Sequence, residues 1–130
     1  MRNRLAIIDD DDTYLSLLSK MLGEHGYEVR IFNQSADSAE AYESVLAFDP
    51  DLIVLDIAMD SPGRGWRTLN LLRLDPLLGS KPVVVCSNDL RRLQEGTWYL
   101  KAKGCEVLPK PYYLDDLLAV LSGIEIDRLS

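Results

Sequence analysis

The sequence predicts an α/β fold built on a parallel sheet that has helices on both faces. Short apolar runs, each ended by polar or charged residues, alternate with segments whose apolar residues recur at helical spacing. The clearest of these runs are Leu5–Ile8, Leu52–Leu55, Val83–Cys86 and Val107–Pro109. Such runs are typical of parallel strands buried on both faces. Their alternation with helices indicates right-handed crossovers, which place helices on both sides of the sheet.

Length and composition indicate one globular domain. The chain has 130 residues, of which 47% are hydrophobic, and a formal net charge of −7. This apolar content can fill a single core. The negative charge argues against a nucleic-acid-binding surface, which needs clustered Lys and Arg. No apolar run reaches the length of a membrane span and the sequence starts without a signal-peptide pattern, so we expect a cytoplasmic protein that does not enter a membrane. Cys86 and Cys105 fit no disulfide or metal-ligand spacing, which predicts two core residues.

In the first half of the chain, turn and cap residues separate the predicted elements. These elements are strand 5–8, helix 13–25, strand 27–32, helix 35–48 and strand 52–56. Thr13 is a suitable N-cap for the first helix, and Gly26 is a suitable stop. The Asp49-Pro50 pair ends the second helix, because the residue before a proline is disfavoured in helical conformation.

The second half continues the same alternation. Its predicted elements are loop 60–65, helix 66–74, strand 83–87, helix 90–103, strand 105–108 and helix 113–121. Four leucines of the last helix share one face at helical spacing, at positions 114, 117, 118 and 121. Because Ser122-Gly123 follows them, we expect a domain over residues 1–123 and a short C-terminal tail over 124–130.

Polar residues follow four of the predicted strands. Asp9 and Asp10 end the first strand, Asp56 ends the third, Ser87 ends the fourth, and Lys110 follows the fifth. In open α/β sheets the functional site lies outside the carboxyl ends of the strands. We therefore expect three carboxylates, a hydroxyl and an ammonium to gather at one edge of the sheet.

This set of groups suits phosphoryl chemistry. Two carboxylates held close together repel each other by about 4 kcal/mol at an effective dielectric of about 20, and Mg²⁺ is a hard cation that neutralises them. Lys110 adds a compact positive charge, and Ser87 adds a hydroxyl donor. A carboxylate beside a metal, a lysine and a serine can act as a nucleophile toward a phosphoryl group, a reaction that mainly needs alignment and neutralised charge.

Across nearly its whole length the sequence resembles the receiver domain of two-component response regulators. The stretches that carry the resemblance are Ile7-Ile8-Asp9-Asp10-Asp11, Pro50-Asp51-Leu52-Ile53-Val54-Leu55-Asp56, Val83-Val84-Val85-Cys86-Ser87 and Leu108-Pro109-Lys110-Pro111. The resemblance implies a doubly wound, flavodoxin-like sheet with strand order 2-1-3-4-5. It also implies a phosphoacceptor signalling domain rather than an enzyme, limited to self-phosphotransfer and autodephosphorylation.

The resemblance assigns a role to each matched residue. Asp56 would accept a phosphoryl group from a sensor histidine kinase, Lys110 would pair with that group, and Ser87 would be the switch hydroxyl. The implied ligands of Mg²⁺ (or Mn²⁺) are Asp10 and Asp56 directly, Ala58 through its main-chain carbonyl, and Asp9 through water. The resemblance also implies a partner surface for an output domain or downstream protein. This surface is formed by the fourth predicted helix (90–103, helix 4), the fifth strand (105–108, strand 5) and the last helix (113–121, helix 5), and phosphorylated copies can also dimerise.

Three positions depart from the usual receiver pattern. Val107 stands where the family usually has Tyr or Phe, three residues before the lysine. Asn88 replaces the usual Ala or Gly after the switch hydroxyl, and Asp60 holds the usual place of a proline, which comes later as Pro62. Val107 brings the aromatic switch into question, and Asn88 narrows access to the phosphoryl site. The departures keep open a second interpretation, a receiver-fold interaction module that is not phosphorylated.

A third interpretation comes from a different class of protein. Asp9-Asp10-Asp11-Asp12-Thr13 also matches the Asp-x-Asp-x-Thr signature of haloacid-dehalogenase-like phosphatases, with Asp9 as nucleophile, Asp11 as acid/base and Ser87 in the second motif. That family also needs metal-binding acids after a later strand, whereas Asp115-Asp116 fall inside a predicted helix. It leaves the position of Asp56 unexplained.

One aromatic residue is predicted to lie on the partner surface. In helix 4, helical spacing places Trp98 with Gln94 and Lys101, away from the apolar face formed by Leu90, Leu93, Thr97 and Leu100. We therefore expect the Trp98 ring to lie near solvent, either in a partner or dimer contact or against Tyr112 or Tyr113.

Overall fold

Five strands alternate with five helices in the part of the chain that the structure describes. The computed structural model describes residues 3–9, 12–33, 38–57, 64–87, 90–102, 104–110 and 113–129. The strands are β1 (Arg4–Asp9), β2 (Glu28–Asn33), β3 (Leu52–Asp56), β4 (Val83–Ser87) and β5 (Cys105–Pro109). The helices are α1 (Asp12–Glu24), α2 (Ser38–Phe48), α3 (Arg64–Leu74), α4 (Leu90–Ala102) and α5 (Leu114–Leu129).

The sheet is parallel, and its strand order is β2-β1-β3-β4-β5. The predicted fold class, strand order and doubly wound architecture are therefore confirmed. In the central pair, Ile8 of β1 lies in register with Leu55 of β3. The next residue of each strand is an aspartate, so this register brings Asp9 beside Asp56.

An apolar layer covers each face of the sheet. On one face, alternate residues of the central strands pack against α2, α3 and α4. The strands contribute Ala6, Ile8, Ile53, Leu55, Val83 and Val85, and the helices contribute Val45, Leu69, Leu72 and Leu100. On the other face, the intervening strand residues pack against α1 and α5. The strands contribute Leu5, Ile7, Leu52, Val54, Val84 and Cys86, and the helices contribute Leu15, Leu18, Leu22, Leu117 and Leu121. Cys86 and Cys105 are both buried, as predicted. Each fully buried leucine contributes about 1.5–3 kcal/mol of transfer free energy.

The last helix is longer than predicted. It begins at Leu114 and continues to Leu129, so the expected helix end at residue 121 is wrong. The reason is that the apolar face continues past Ser122-Gly123: Ile124 is only 7% exposed and packs in the α1–α5 layer. Most of the segment predicted as a tail is helical, while the domain boundary at residue 123 stays a prediction.

Left-handed glycines end two of the helices, the first of them at the stop that the sequence predicts. Gly26 has φ of +93° after α1, and Gly104 has φ of +77° after α4. Glycine adopts this conformation without steric penalty, which explains its place at both helix ends. Within the residues described, no helix is both long enough and apolar enough to cross a membrane.

One polar contact joins α2 to the end of α3. The Tyr42 hydroxyl donates a short hydrogen bond to the Asp75 carboxylate. The same carboxylate accepts the main-chain N–H groups of Leu77 and Leu78 at 2.8 and 2.9 Å. The hydrogen bond from Tyr42, and then that from Leu78, lower the pKa of Asp75, because they stabilise its ionised form. Asp75 therefore closes the turn after α3 and ties it to α2.

Candidate functional site

Two aspartates and one lysine meet at the carboxyl end of the sheet. The ammonium nitrogen of Lys110 lies 2.7 Å from Asp9 Oδ2 and 3.1 Å from Asp56 Oδ2. Both aspartates are buried, whereas the Lys110 side chain is 21% exposed. The predicted clustering of Asp9, Asp56 and Lys110 is therefore present in the structure.

Strand geometry explains why the two carboxylates share a side of the sheet. Asp9 follows Ile7 by two residues, and Asp56 follows Val54 by two. Side chains two apart along a strand point to the same face, and Ile7 and Val54 belong to the layer covered by α1 and α5. Both acids therefore continue the face of that layer at the point where the strands end.

Lys110 reaches the acids because its main chain is held beside β4. Its N–H donates a 2.8 Å hydrogen bond to the carbonyl oxygen of Ser87, which extends the pairing of Ser87 with Pro109 in β5. The flexible four-carbon stem of a lysine can then span the sheet edge to β3 and β1. Ser87 itself is buried at the end of β4, and its main-chain carbonyl is the group that holds Lys110 beside this strand.

The surroundings of Lys110 keep its side chain charged. Burial is the largest influence on its pKa and opposes the charge, but the hydrogen bond and charge of Asp9, followed by those of Asp56, outweigh it. The net result is a raised pKa. An ammonium held between two carboxylates therefore remains protonated across the physiological range.

The described part of the site favours a further cation. Two carboxylates and one ammonium leave a net charge of −1 in a largely buried space, where charge interactions are stronger than in water. Asp9 and Asp56 offer the hard oxygen ligands that Mg²⁺ prefers. Among residues with described positions, no group of three or more His, Cys, Asp or Glu side chains could hold a metal ion. Asp10 and Ala58, the other predicted ligands, lie outside the described residues, as do Asp11, Asp60, Pro62 and Asn88.

Comparison with known proteins decides the family. The response regulator receiver domain family matches residues 5–122. This chain belongs to that family. Over 129 residues the receiver is 32% identical to the response regulator MprA of Mycobacterium leprae, and the match covers 93% of this chain and 50% of MprA. The chain thus spans about half the length of the curated relatives it matches.

Solved structures agree with this assignment. The receiver is similar to the chemotaxis protein CheY4 of Vibrio cholerae, with a TM-score of 0.74, 25% identity and coverage of 94% of this chain and 98% of that one. The fold is also that of the receiver domain of sensor histidine kinase PA1611 from Pseudomonas aeruginosa PAO1, with a TM-score of 0.72, 20% identity and coverage of 93% and 95%. That protein holds a magnesium ion coordinated in its active-site cleft.

Family membership removes one of the interpretations of the acidic residues. Receiver domains are signalling domains that bind Mg²⁺ in their active sites and interact with histidine kinases and output domains. The phosphatase interpretation, in which Asp9 is the nucleophile, is therefore set aside. It also provides no role for Asp56, which the structure buries beside Lys110.

The receiver departs from the usual pattern at β5 in a defined way. Val107 is half-buried and packs against the layer covered by α2, α3 and α4. A β-branched side chain has few rotamers and carries no ring that could turn inward. The place of the usual aromatic switch is therefore filled by a packed aliphatic residue.

Trp98 lies where helical spacing predicts it. The side chain is 74% exposed, whereas Leu100 of the same helix is fully buried. Its ring meets that of Tyr99 edge-on, with centroids 6.4 Å apart. Of the two tyrosines that the sequence offered as packing partners, Tyr113 is itself 78% exposed and Tyr112 lies outside the described residues.

Sequence reasoning missed one residue that touches the site. The sequence predicts Gly65 in the loop over residues 60–65, but the structure buries it in the first turn of α3. A Cβ atom at this position would lie 2.5 Å from the Cα of Ile57 and 3.1 Å from the carbonyl oxygen of Asp56. The sequence signal that could have indicated this contact is the glycine itself, because it stands where the helix after β3 begins to pack against the sheet.

Proposed function

We propose that this receiver accepts a phosphoryl group on Asp56 from a sensor histidine kinase in a reaction that requires Mg²⁺. The observation that carries the proposal is the buried Asp56 carboxylate, which lies 3.1 Å from the Lys110 ammonium and beside the buried Asp9. A carboxylate at a strand end, with a cation already in contact, has the charge balance that a phosphoacceptor needs.

The metal would be held by Asp56 and Asp10 directly, by the main-chain carbonyl of Ala58, and by Asp9 through water. The net charge of −1 on the described groups fits a divalent cation in that place. When bound, Mg²⁺ neutralises negative charge on phosphoryl oxygens, which is its usual contribution to phosphoryl transfer.

The position of Asp56 supports the following transfer step. One carboxylate oxygen of Asp56 forms a bond to phosphorus while the bond from phosphorus to the imidazole nitrogen of the kinase histidine breaks. The electron pair of the broken bond leaves with the imidazole, which takes up a proton from solvent. Lys110 turns from the carboxylates toward a phosphoryl oxygen, and the Ser87 hydroxyl donates a hydrogen bond to another.

The phosphorylated state would be read out at α4, β5 and α5. The exposed Trp98 ring supports a partner contact on this surface, because large exposed aromatic side chains are enriched at interfaces. An output domain, a separate downstream protein or a second phosphorylated receiver would each bind there.

Intact-mass measurement after treatment with acetyl phosphate tests the proposal. We expect the parent to gain one phosphoryl group with Mg²⁺ and none when the metal is chelated. Asp56→Asn should gain none, and Asp115→Asn, which changes an exposed aspartate of α5, should behave like the parent. No adduct on the parent with any phosphodonor would instead favour the interaction module that is not phosphorylated.

A further inference from the structure

The start of α3 rests directly on the main chain of the proposed phosphoacceptor. Gly65 is buried in the first turn of this helix. A Cβ atom built on it would lie 2.5 Å from Ile57 Cα, 3.1 Å from Asp56 O and 3.1 Å from Ile57 Cβ. A carbon atom cannot come this close to backbone atoms without moving them, so only glycine allows α3 to approach β3 as it does.

Other contacts leave little room for the backbone at Ile57 to move away. Its N–H donates a 3.0 Å hydrogen bond to the carbonyl of Cys86 in β4. Its side chain is only 4% exposed and packs with the α2–α3–α4 layer. Any side chain at position 65 would therefore displace either the first turn of α3 or the Asp56–Ile57 segment.

We propose that Gly65 is a positioning residue for the phosphoacceptor site. By letting α3 contact Asp56 O and Ile57 Cα, it fixes the main chain from which the Asp56 carboxylate projects toward Lys110. The inference rests on the proposed metal-dependent phosphorylation of Asp56, since the metal is the ligand whose binding reports the position of that carboxylate. Gly65 acts through Asp56 and touches neither the metal nor the phosphoryl group.

Two other glycines supply matched controls. Gly23, in α1, has nothing within 4 Å of a built Cβ, so Gly23→Ala adds the same methyl group without a clash. Gly79 follows α3 at its other end, where a Cβ would lie 2.7 Å from the carbonyl oxygens of Arg73 and Asp75. Gly79→Ala therefore makes a comparable backbone clash away from Asp56 and separates a loss of stability from a loss of positioning.

The test compares Mg²⁺ binding in the three variants. Trp98→Phe serves as the background, so that Trp66, the neighbour of Gly65, reports metal binding by its fluorescence. The stability of each variant is measured in parallel by urea unfolding without metal. Mg²⁺ is then titrated under conditions in which that variant is fully folded. We expect Gly65→Ala to weaken Mg²⁺ binding by about tenfold or more, the usual size of an effect from a residue that supports a ligand. Gly23→Ala and Gly79→Ala should bind Mg²⁺ as the parent does, although Gly79→Ala loses stability.

Equal Mg²⁺ affinity in Gly65→Ala and the parent would overturn the inference, and so would an equal weakening in Gly79→Ala. If Gly65→Ala does not fold, amide chemical shifts of the parent decide. The Ile57 and Gly65 amides should shift with Mg²⁺ at one common midpoint while the Gly23 and Gly79 amides stay still, and an unmoved Gly65 amide overturns the inference. A parent that binds no Mg²⁺ would overturn the proposed function as well, which distinguishes the two failures.

Discussion

The Lys110 ammonium lies closer to Asp9 than to Asp56, at 2.7 Å against 3.1 Å. The lysine is thus shared between the proposed phosphoacceptor and a carboxylate that would hold the metal through water. Because a lysine is a mobile point charge on a flexible stem, it can leave Asp9 when a divalent cation arrives and then follow the phosphoryl group. The ion pairs of Lys110 and the proposed metal would therefore compensate the same negative charge.

The shared lysine leads to a prediction for Lys110→Met, which keeps most of the stem and removes the charge. We expect tighter Mg²⁺ binding, because the described groups would then carry a net charge of −2. We also expect phosphorylation by acetyl phosphate to slow by about a hundredfold, the usual loss when one donor to a developing negative charge is removed. Metal titration and timed intact-mass measurement check both, with the exposed Lys101→Met as control. Weaker Mg²⁺ binding in Lys110→Met would contradict the sharing.

The contact between Tyr42 and Asp75 predicts a pH dependence of stability. The folded-state pKa of Asp75 lies below its usual value of 3.8, chiefly because of the Tyr42 hydrogen bond. A carboxyl with a lowered pKa stabilises the fold above its unfolded-state pKa, and this stabilisation is lost as the pH falls through the folded-state pKa. Tyr42→Phe should therefore be less stable than the parent at neutral pH, and the difference should shrink on acidification below 3.8.

Urea unfolding of the two proteins at several pH values measures this difference, because groups that titrate equally in both proteins cancel. Tyr113→Phe changes an exposed tyrosine and serves as the control. A gap between parent and Tyr42→Phe that stays constant down to strongly acidic pH would show that the hydrogen bond does not set the pKa of Asp75.

The fold was predictable wherever an apolar run ended at a polar residue. The structure ends two of these strands at Asp56 and Ser87, as the sequence predicts, because a short run rich in β-branched residues and bounded by polar residues favours a strand buried on both faces. The end of α5 was not predicted correctly. The Ser122-Gly123 pair resembles a helix end when only the local sequence is considered, and the packing of Ile124 in the core shows that the buried face of the helix continues.

The site was predictable as a set of residue types but not as a set of contacts. The order of strands brings Asp9, Asp56 and Lys110 together, and the resemblance to receivers supplied that order. The closer contact of Lys110 with Asp9 depends on side-chain geometry. The approach of Gly65 to Ile57 depends on how α3 meets the sheet, and local sequence carries neither.

Trp98 offers a prediction about the partner surface. Because its side chain is 74% exposed, Trp98→Ala should change the free energy of unfolding by no more than about 0.5 kcal/mol, as is usual for surface substitutions. Trp66→Ala is the comparison, since the half-buried Trp66 ring lies against Gly96 and Tyr99 and its loss should destabilise the fold measurably. Urea unfolding checks both. A Trp98→Ala variant as unstable as Trp66→Ala would assign Trp98 to the core.

The packed Val107 predicts how the phosphorylated state is transmitted. A complex with Mg²⁺ and beryllofluoride, which mimics the phosphoryl group, should shift the Asn88–Asp89 segment and α4 while Val107 keeps its rotamer. Ser87 and Lys110 supply the difference in contacts that any such shift requires. Methyl and amide chemical shifts with and without the mimic measure this. A change of Val107 rotamer beside an unmoved 88–89 segment would show that the signal takes another route.

The central claim is that Asp56 is the residue that carries the phosphoryl group, and chemical mapping tests this claim most directly. Borohydride reduces an aspartyl phosphate to homoserine, and peptide mass spectrometry then locates the modified position. After treatment with acetyl phosphate and Mg²⁺, we expect homoserine at Asp56, with Asp9 unchanged. Homoserine at Asp9, with Asp56 intact, would contradict the account and would make Asp9 the nucleophile.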